Sequence, residues 1–113
     1  MKRIHLINTN DLEEGGCRAF EFERGGQSIK GFLARHQGRW VAYENRCQHL
    51  AIPLDMGDER FFSRDGRHFI CRTHAALYEP LTGLCVRGPC TGGRLEALKL
   101  EAAEGAVWLI LEA

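Results

Sequence analysis

An excess of either charge is the first thing this sequence lacks. Fifteen Lys and Arg stand against 15 Asp and Glu in 113 residues. Without a basic surplus there is no chain-wide electrostatic footprint for nucleic acid. Long hydrophobic runs are absent too. The opening "MKRIHLINTNDLEEGG" holds only a short apolar stretch, too short for a signal peptide or a membrane span, and "AVWLILEA" near the other end is also far too short to span. The expectation is a cytoplasmic protein with no membrane partner. There is no internal repeat, low-complexity tract or linker, and the length suits one domain with a real core rather than two. The chain has no Gly-rich phosphate loop, no nucleophile elbow and no H-E-x-x-H pair, which removes the commonest phosphate, acyl-transfer and metalloprotease chemistries.

A disulfide framework is excluded in the same way. There are five cysteines, Cys17, Cys47, Cys71, Cys85 and Cys90, an odd count with no export signal beside it. In a reducing compartment, cysteines close to histidines point to metal instead. What the chain does have is glycine, 13 of them, and turn signals at short intervals, among them "RGGQ" at 24–27, "QG" at 37–38, "RDGR" at 64–67, "TGG" at 91–93 and "EG" at 104–105. The stretches between are short and rich in β-formers. "CRAFEFE" sets Phe20 and Phe22 against Glu21 and Glu23, the period of a strand with one buried face. "SIKGFLARH" and "RWVAYEN" read as strands as well. "RFFSRDGRHFIC" places Asp65-Gly66 between two Phe-containing runs and predicts a hairpin. "RLEALKLE" fits both periods, since Leu95 and Leu98 also suit a helix. Its strand-like partner "AVWLILE", joined by a tight "EAAEGA" connection, predicts a C-terminal hairpin. The fold class expected is all-β, an antiparallel sandwich or small barrel with little helix.

Two boxes carry the chemistry. Cys47-x-His49 and Cys71-x-x-His74 each join one sulfur and one nitrogen donor at a predicted loop. Thiolate and neutral imidazole both suit borderline-soft metals. A structural zinc site with two cysteines and two histidines is one reading. Zinc loops usually pair like with like, whereas here each loop mixes the two. Mixed loops suit a two-iron cluster in which one iron takes both cysteines and the other both histidines.

"CQHLAIPLD" followed by "CRTHAALYEPLTGLCVRGPC" resembles the two cluster boxes and the proline loop of Rieske-type [2Fe–2S] ferredoxins, and the resemblance extends over nearly the whole chain. It implies a Rieske-like fold, with a β base and a small cluster-binding subdomain of two loops spanning approximately 45–90 of a single domain, 1–113. It implies one [2Fe–2S] cluster with Cys47 and Cys71 on one iron and His49 and His74 on the other, covered by Gly88-Pro89. Tyr78 matches the tyrosine that follows the second box in respiratory-chain Rieske proteins, where its hydroxyl would donate to the Cys47 sulfur. Those proteins carry an extra cysteine in each box, joined as a disulfide, and a serine two residues after the second histidine. Here neither cysteine is present and the serine position holds Ala76, which implies a reduction potential toward the low end of roughly −150 to +300 mV. Two positions where the family usually has glycine hold Ala51 and Ala75.

The activity implied is electron carriage, not catalysis, from a flavin reductase to an oxygenase or similar acceptor, by a monomer. Three rivals stand beside it: an accessory subunit of a nitrite reductase-like enzyme, a redox-sensing module, and a zinc-stabilised binding domain with no redox role. Outside the boxes the expectations are structural. Cys85 and Cys90 are read as small buried residues with free thiols, with a third ligand pair as one alternative and a disulfide between them as another that a reducing compartment disfavours. Cys17 is read as structural or half exposed. His5, His36 and His68 are read as surface or strand histidines, Trp40 and Trp108 as core, and Arg64, Arg72 and Arg87 as solvated charges or a docking rim.

Overall fold

The computed structural model describes residues 2–47, 52–73 and 75–111. Among them are nine strands in three antiparallel sheets, one short 3-10 helix at Thr9–Asp11 and no α-helix. The first sheet orders β1 (Lys2–Asn8), β9 (Ala106–Leu111) and β8 (Leu100–Ala103). The second orders β2 (Cys17–Arg24), β3 (Gln27–His36) and β4 (Arg39–Glu44). The third and smallest orders β5 (Phe69–Ile70), β6 (Leu77–Tyr78) and β7 (Cys85–Arg87).

The second sheet follows its sequence pattern closely. Cys17 through Arg24 pair in unbroken register with Ala34 back to Gln27, and β3 then pairs with β4. The two connections are tight turns built on residues with positive φ, Gly25-Gly26 and Gln37-Gly38. Left-handed backbone at both central positions is the geometry that matches the right-handed twist of a hairpin. The second turn has a brace from outside. The Glu14 carboxylate accepts the Gln37 N–H at 2.6 Å and the Gly38 N–H at 2.9 Å. These bonds, Gly38 first, hold the Glu14 carboxyl below its ordinary value of 4.5. A lowered folded value means that the bracing is present above the unfolded pKa and is lost as pH falls through the folded one. Urea midpoints of wild type should therefore drop more steeply below pH 4.5 than those of Glu14→Gln. Parallel curves would show that the brace contributes nothing.

The first and second sheets are joined along one edge. Residues 94–98 run beside β4, with a Tyr43↔Ala97 bridge and bonds from the Leu98 N–H to the Ala42 carbonyl and from the Glu44 N–H to the Glu96 carbonyl. This corrects the reading of 94–101: the strand of the C-terminal hairpin starts only at Leu100, because the residues before it are used against β4. The hairpin itself forms, turning on Glu104 and Gly105, both with positive φ. The hairpin expected about Asp65-Gly66 shrinks to one Phe62↔Phe69 bridge with a bond from the Ile70 N–H to the Phe61 carbonyl. Asp65 widens the turn by accepting from the Ser63 hydroxyl at 2.7 Å and the Arg67 N–H at 3.0 Å. The strand β5 then pairs with β6 instead.

One buried cluster ties the base to the segments that carry the boxes. Phe32 of β3 stacks on Phe61 with ring centroids 4.1 Å apart and meets Phe69 edge-on at 5.0 Å. Tyr43 of β4 closes on Phe69 and donates its hydroxyl to the Pro80 carbonyl at 2.7 Å. Cys47, Leu54, Cys71, Ala76, Tyr78 and Cys85 belong to the same cluster. The tryptophans do not. Trp40 and Trp108 are half-buried, each under a guanidinium, Arg35 and Arg3 respectively. Of the histidines outside the boxes, His36 is buried against Phe62, His5 packs edge-on to Trp108, and His68 is half-buried.

Candidate metal centre

Both boxes are closed by the same hydrogen bond. The Cys47 N–H donates to the Ile52 carbonyl at 2.7 Å, and the Cys71 N–H donates to the Ala76 carbonyl at 2.9 Å. In each box the acceptor lies five residues on, so the chain doubles back and the cysteine stands at the inner end of a short loop. A further bond from the Ala75 N–H to the Cys71 carbonyl, 2.8 Å, tightens the second box. The two loops are also linked. The Arg72 N–H donates to the Leu54 carbonyl at 3.0 Å, and its guanidinium pairs with Asp58 at 3.1 Å. His49, His74 and Ala51, which the sequence places in these loops, lie outside the described residues.

The tight second box has a cost. Ala75 sits at φ 58, in the left-handed region that glycine reaches freely and other residues reach at about 1–2 kcal/mol. Glycine in turn adds unfolded-state entropy, about 0.4–1 kcal/mol. Ala75→Gly should therefore stabilise the protein by somewhat under about 1 kcal/mol, read as a higher urea midpoint at unchanged slope. A lower midpoint would show that the loop does not hold Ala75 in that conformation.

Asn45 is the residue that sequence reasoning missed. It is buried, its Oδ1 accepts the Leu54 N–H at 2.8 Å, and its Nδ2 donates to Asp55 at 3.0 Å. It thus pins the stretch after the first box to the end of β4. A polar residue at a strand end is too common to stand out, and its position just ahead of Cys47 is the only hint in the sequence.

Cys47 is 2% exposed and Cys71 is fully buried. Beside them Tyr78, also fully buried, holds its hydroxyl 3.4 Å from the Cys47 Sγ and 3.1 Å from the Cys90 Sγ. The register slips between Leu77 and Tyr78 against β7, so that Leu77 faces Arg87 and Tyr78 faces Cys85, with Val86 left exposed. That bulge brings Cys85 inward to join the core. Burial pushes the Cys85 thiol up to about 11, as it pushes Cys17, the first residue of β2, up to about 12. Gly88 has φ 105, and a Cβ there would fall 2.9 Å from the Ala76 Cα. The loop that carries Gly88-Pro89 therefore packs its bare backbone directly on the second box.

This environment fits a metal group with thiolate ligands. Two sulfurs lie in apolar surroundings where an uncompensated thiolate would be costly, and a hydroxyl donor stands beside one of them. Among the described residues no group of three or more His, Cys, Asp and Glu side chains gathers as a metal site. Nearby carboxylates are engaged elsewhere, Glu14 and Asp58 as above and Glu59 with the Ala19 N–H at 2.7 Å.

The model of the Rieske [2Fe-2S] domain matches residues 2–101. The chain belongs to the Rieske [2Fe–2S] domain family. Membership implies a [2Fe–2S] cluster with two cysteine and two histidine ligands. Several solved structures share the fold. The ferredoxin of carbazole 1,9a-dioxygenase from Nocardioides aromaticivorans IC177 is 19% identical, with 99% of this chain and 100% of that chain covered, at a TM-score of 0.74. A chain in a complex of reduced oxygenase and oxidized ferredoxin of carbazole 1,9a-dioxygenase is 24% identical over 95% of this chain and 91% of that one, also at 0.74. A longer chain in the reduced oxygenase–ferredoxin complex is 17% identical at 0.78, with 95% of this chain and 27% of that chain covered. No match was found among curated proteins. The all-β expectation and the Rieske-like fold agree with these structures, and no helix among the described residues is long and apolar enough to cross a membrane.

Proposed function

We propose that the protein is a small electron carrier in which Cys47 and Cys71 bind one iron of the cluster and His49 and His74 bind the other. It receives single electrons from a flavin reductase and delivers them to an oxygenase or a similar acceptor, as a cytoplasmic monomer of one domain whose cluster-binding part runs over about 45–90. When bound, the cluster supplies a one-electron couple whose potential histidine ligation raises above that of an all-thiolate centre. The observation that carries this reading is the pair of cysteine loops, closed by matching hydrogen bonds and each with its sulfur buried in one core, in a chain of the Rieske family. A carrier needs no substrate pocket. The similar ferredoxins from carbazole dioxygenase occur in complexes with an oxygenase, which supports the choice of acceptor.

The chain's own residues have definite tasks in this reading. The two closing hydrogen bonds fix both sulfurs. Gly88 lets the proline loop lie close over the second box. Tyr78 donates its hydroxyl hydrogen to the Cys47 sulfur, a bond that strengthens as that sulfur gains electron density. If reduction strengthens it by about 1 kcal/mol, Tyr78→Phe should lower the midpoint by about 40 mV for a one-electron couple. Protein-film voltammetry reads this directly, and an unchanged or higher midpoint would remove Tyr78 from the account. The function itself is tested by rapid mixing. The protein reduced by a flavin reductase with NADH should be reoxidised by a Rieske oxygenase on a turnover timescale. A colourless protein with one zinc would contradict the proposal.

A further inference from the structure

Three cysteines are left over by the proposed site, and two of them, Cys85 and Cys90, are neighbours. The Cys90 Sγ lies 2.6 Å from the Cys85 Sγ, with the two sulfurs unbonded, against about 2.05 Å in a disulfide. The backbone already holds them in place. Cys85 and Gly93 are paired through the Cys85 N–H and the Gly93 carbonyl at 2.7 Å, the Gly92 N–H donates to the Cys85 carbonyl at 3.0 Å, and the Gly93 N–H donates to the Cys90 carbonyl at 2.8 Å. Closing an S–S bond requires a few tenths of an ångström of side-chain movement and no new loop. Cys90 is half-exposed, whereas Cys85 is 1% exposed. One sulfur is reachable and the other waits behind it.

The pair is also wired to the metal centre. A line of contacts runs from Cys85 through Cys90 and the Tyr78 hydroxyl to the Cys47 Sγ. A phenol has one hydrogen to give. The Cys90 S–H lies against both the Cys85 sulfur and the Tyr78 oxygen; when it is given to Tyr78 it leaves the Tyr78 hydrogen for Cys47, and hydrogen bonds in such a chain reinforce one another. When Cys90 is in a disulfide it has no hydrogen. The Tyr78 oxygen loses that donor, and two sulfurs compete for the one phenolic hydrogen.

We propose that Cys85 and Cys90 form a reversible disulfide by exchange with a low-molecular-weight disulfide, and that Tyr78 transmits the change to the Cys47 sulfur. The Cys90 thiolate attacks one sulfur of the reagent, whose S–S bond breaks and whose other half leaves as a thiolate. Cys85 then attacks the Cys90 sulfur in the mixed disulfide and releases the second half. In total two protein thiols lose two hydrogens and two electrons, and one reagent disulfide becomes two thiols. Disulfides of cytosolic proteins are typically transient and redox-sensing, which suits a pair that can open again. The relay half of this proposal rests on the ligand role of Cys47.

The test uses the full, iron-loaded protein equilibrated anaerobically with reduced or oxidised glutathione, then denatured and alkylated. With five cysteines in the chain, the sample in reduced glutathione should take five adducts and the sample in oxidised glutathione three, with the protected pair mapping to Cys85 and Cys90. Cys90→Ser should take four adducts in both buffers. Five adducts throughout, or protection elsewhere in the chain, would overturn the disulfide. Voltammetry of the two forms should give a lower midpoint for the disulfide form, and Tyr78→Phe should abolish the difference. Equal midpoints in the wild type would overturn the relay. Iron and sulfide assays on the same samples keep the readings apart: an iron-free sample overturns the ligand assignment and the relay, while the adduct count still decides the disulfide.

Discussion

Phe32→Ala should destabilise the protein by about 3–5 kcal/mol. The ring is fully buried, stacks on Phe61 and is met edge-on by Phe69. Its removal forfeits the transfer free energy of a large apolar side chain, leaves a cavity, and loses three aromatic contacts, to Tyr43, Phe61 and Phe69, of about 0.5–1.5 kcal/mol each that are partly counted in that total. A domain of this size has only about 5–15 kcal/mol to lose. The location raises the consequence further. Phe32 belongs to the base sheet, while Phe61 and Phe69 lie on the approach to the second box, so the ring is, with Tyr43, a contact through which the base holds that segment. Urea denaturation should show the midpoint falling by a third or more, with cluster loss at lower urea than unfolding of the base. Phe20→Ala, at a half-buried position on the neighbouring strand, serves as the control and should cost much less. Equal effects of the two variants would mean that the aromatic cluster does not organise the core.

Cys47→Ser and Cys71→Ser should each abolish the visible chromophore and reduce iron to background, whereas Cys17→Ser should retain both. A serine alkoxide is a far poorer partner for a soft metal than a thiolate, and each box holds a single cysteine fixed by its own closing hydrogen bond. Cys17 is also largely enclosed, and burial holds its thiol up to about 12, but it begins β2, outside both boxes. His49→Cys is the informative partial case. It should either lose the cluster or keep one with a lower potential, because replacing a neutral imidazole with a thiolate adds negative charge at the outer iron. Iron and acid-labile sulfide assays after anaerobic reconstitution read all four variants. Full iron in Cys47→Ser would break the ligand assignment.

The parts of this structure that could be read in the sequence are those where a local pattern and the tertiary pairing agree. β2 sets Phe20 and Phe22 against glutamates, β2, β3 and β4 are rich in β-formers and turn on glycine-containing pairs, and all three form as expected. β1 was not foreseen. Its register slips between His5 and Ile7, so Leu6 is accommodated as an irregularity while Ile7 is buried, and the period that marks a strand is broken. Asp65-Gly66 does make a turn, with Gly66 at φ 72, yet the side-chain bonds to Asp65 lengthen it beyond a two-residue hairpin. Leu95 and Leu98 gave an ambiguous period because residues 94–98 form no regular element of their own. They are an edge partner for β4, which only the folded arrangement reveals. Cys47 and Cys71, marked out by residue type and spacing, do enter one buried cluster, while His49 and His74 lie outside the described residues. The brace from Asn45, the positive φ of Ala75 and the approach of Cys85 to Cys90 were not legible, since each depends on a backbone path that composition does not encode.

Electron paramagnetic resonance of the anaerobically reduced protein tests the central claim most directly. A cluster with histidine on one iron and cysteine on the other should give the low average g value of a Rieske centre, with spin matching one electron for each two irons. A rhombic signal with the higher average g of an all-cysteine cluster, or no signal from a colourless protein that binds a single zinc, would contradict it.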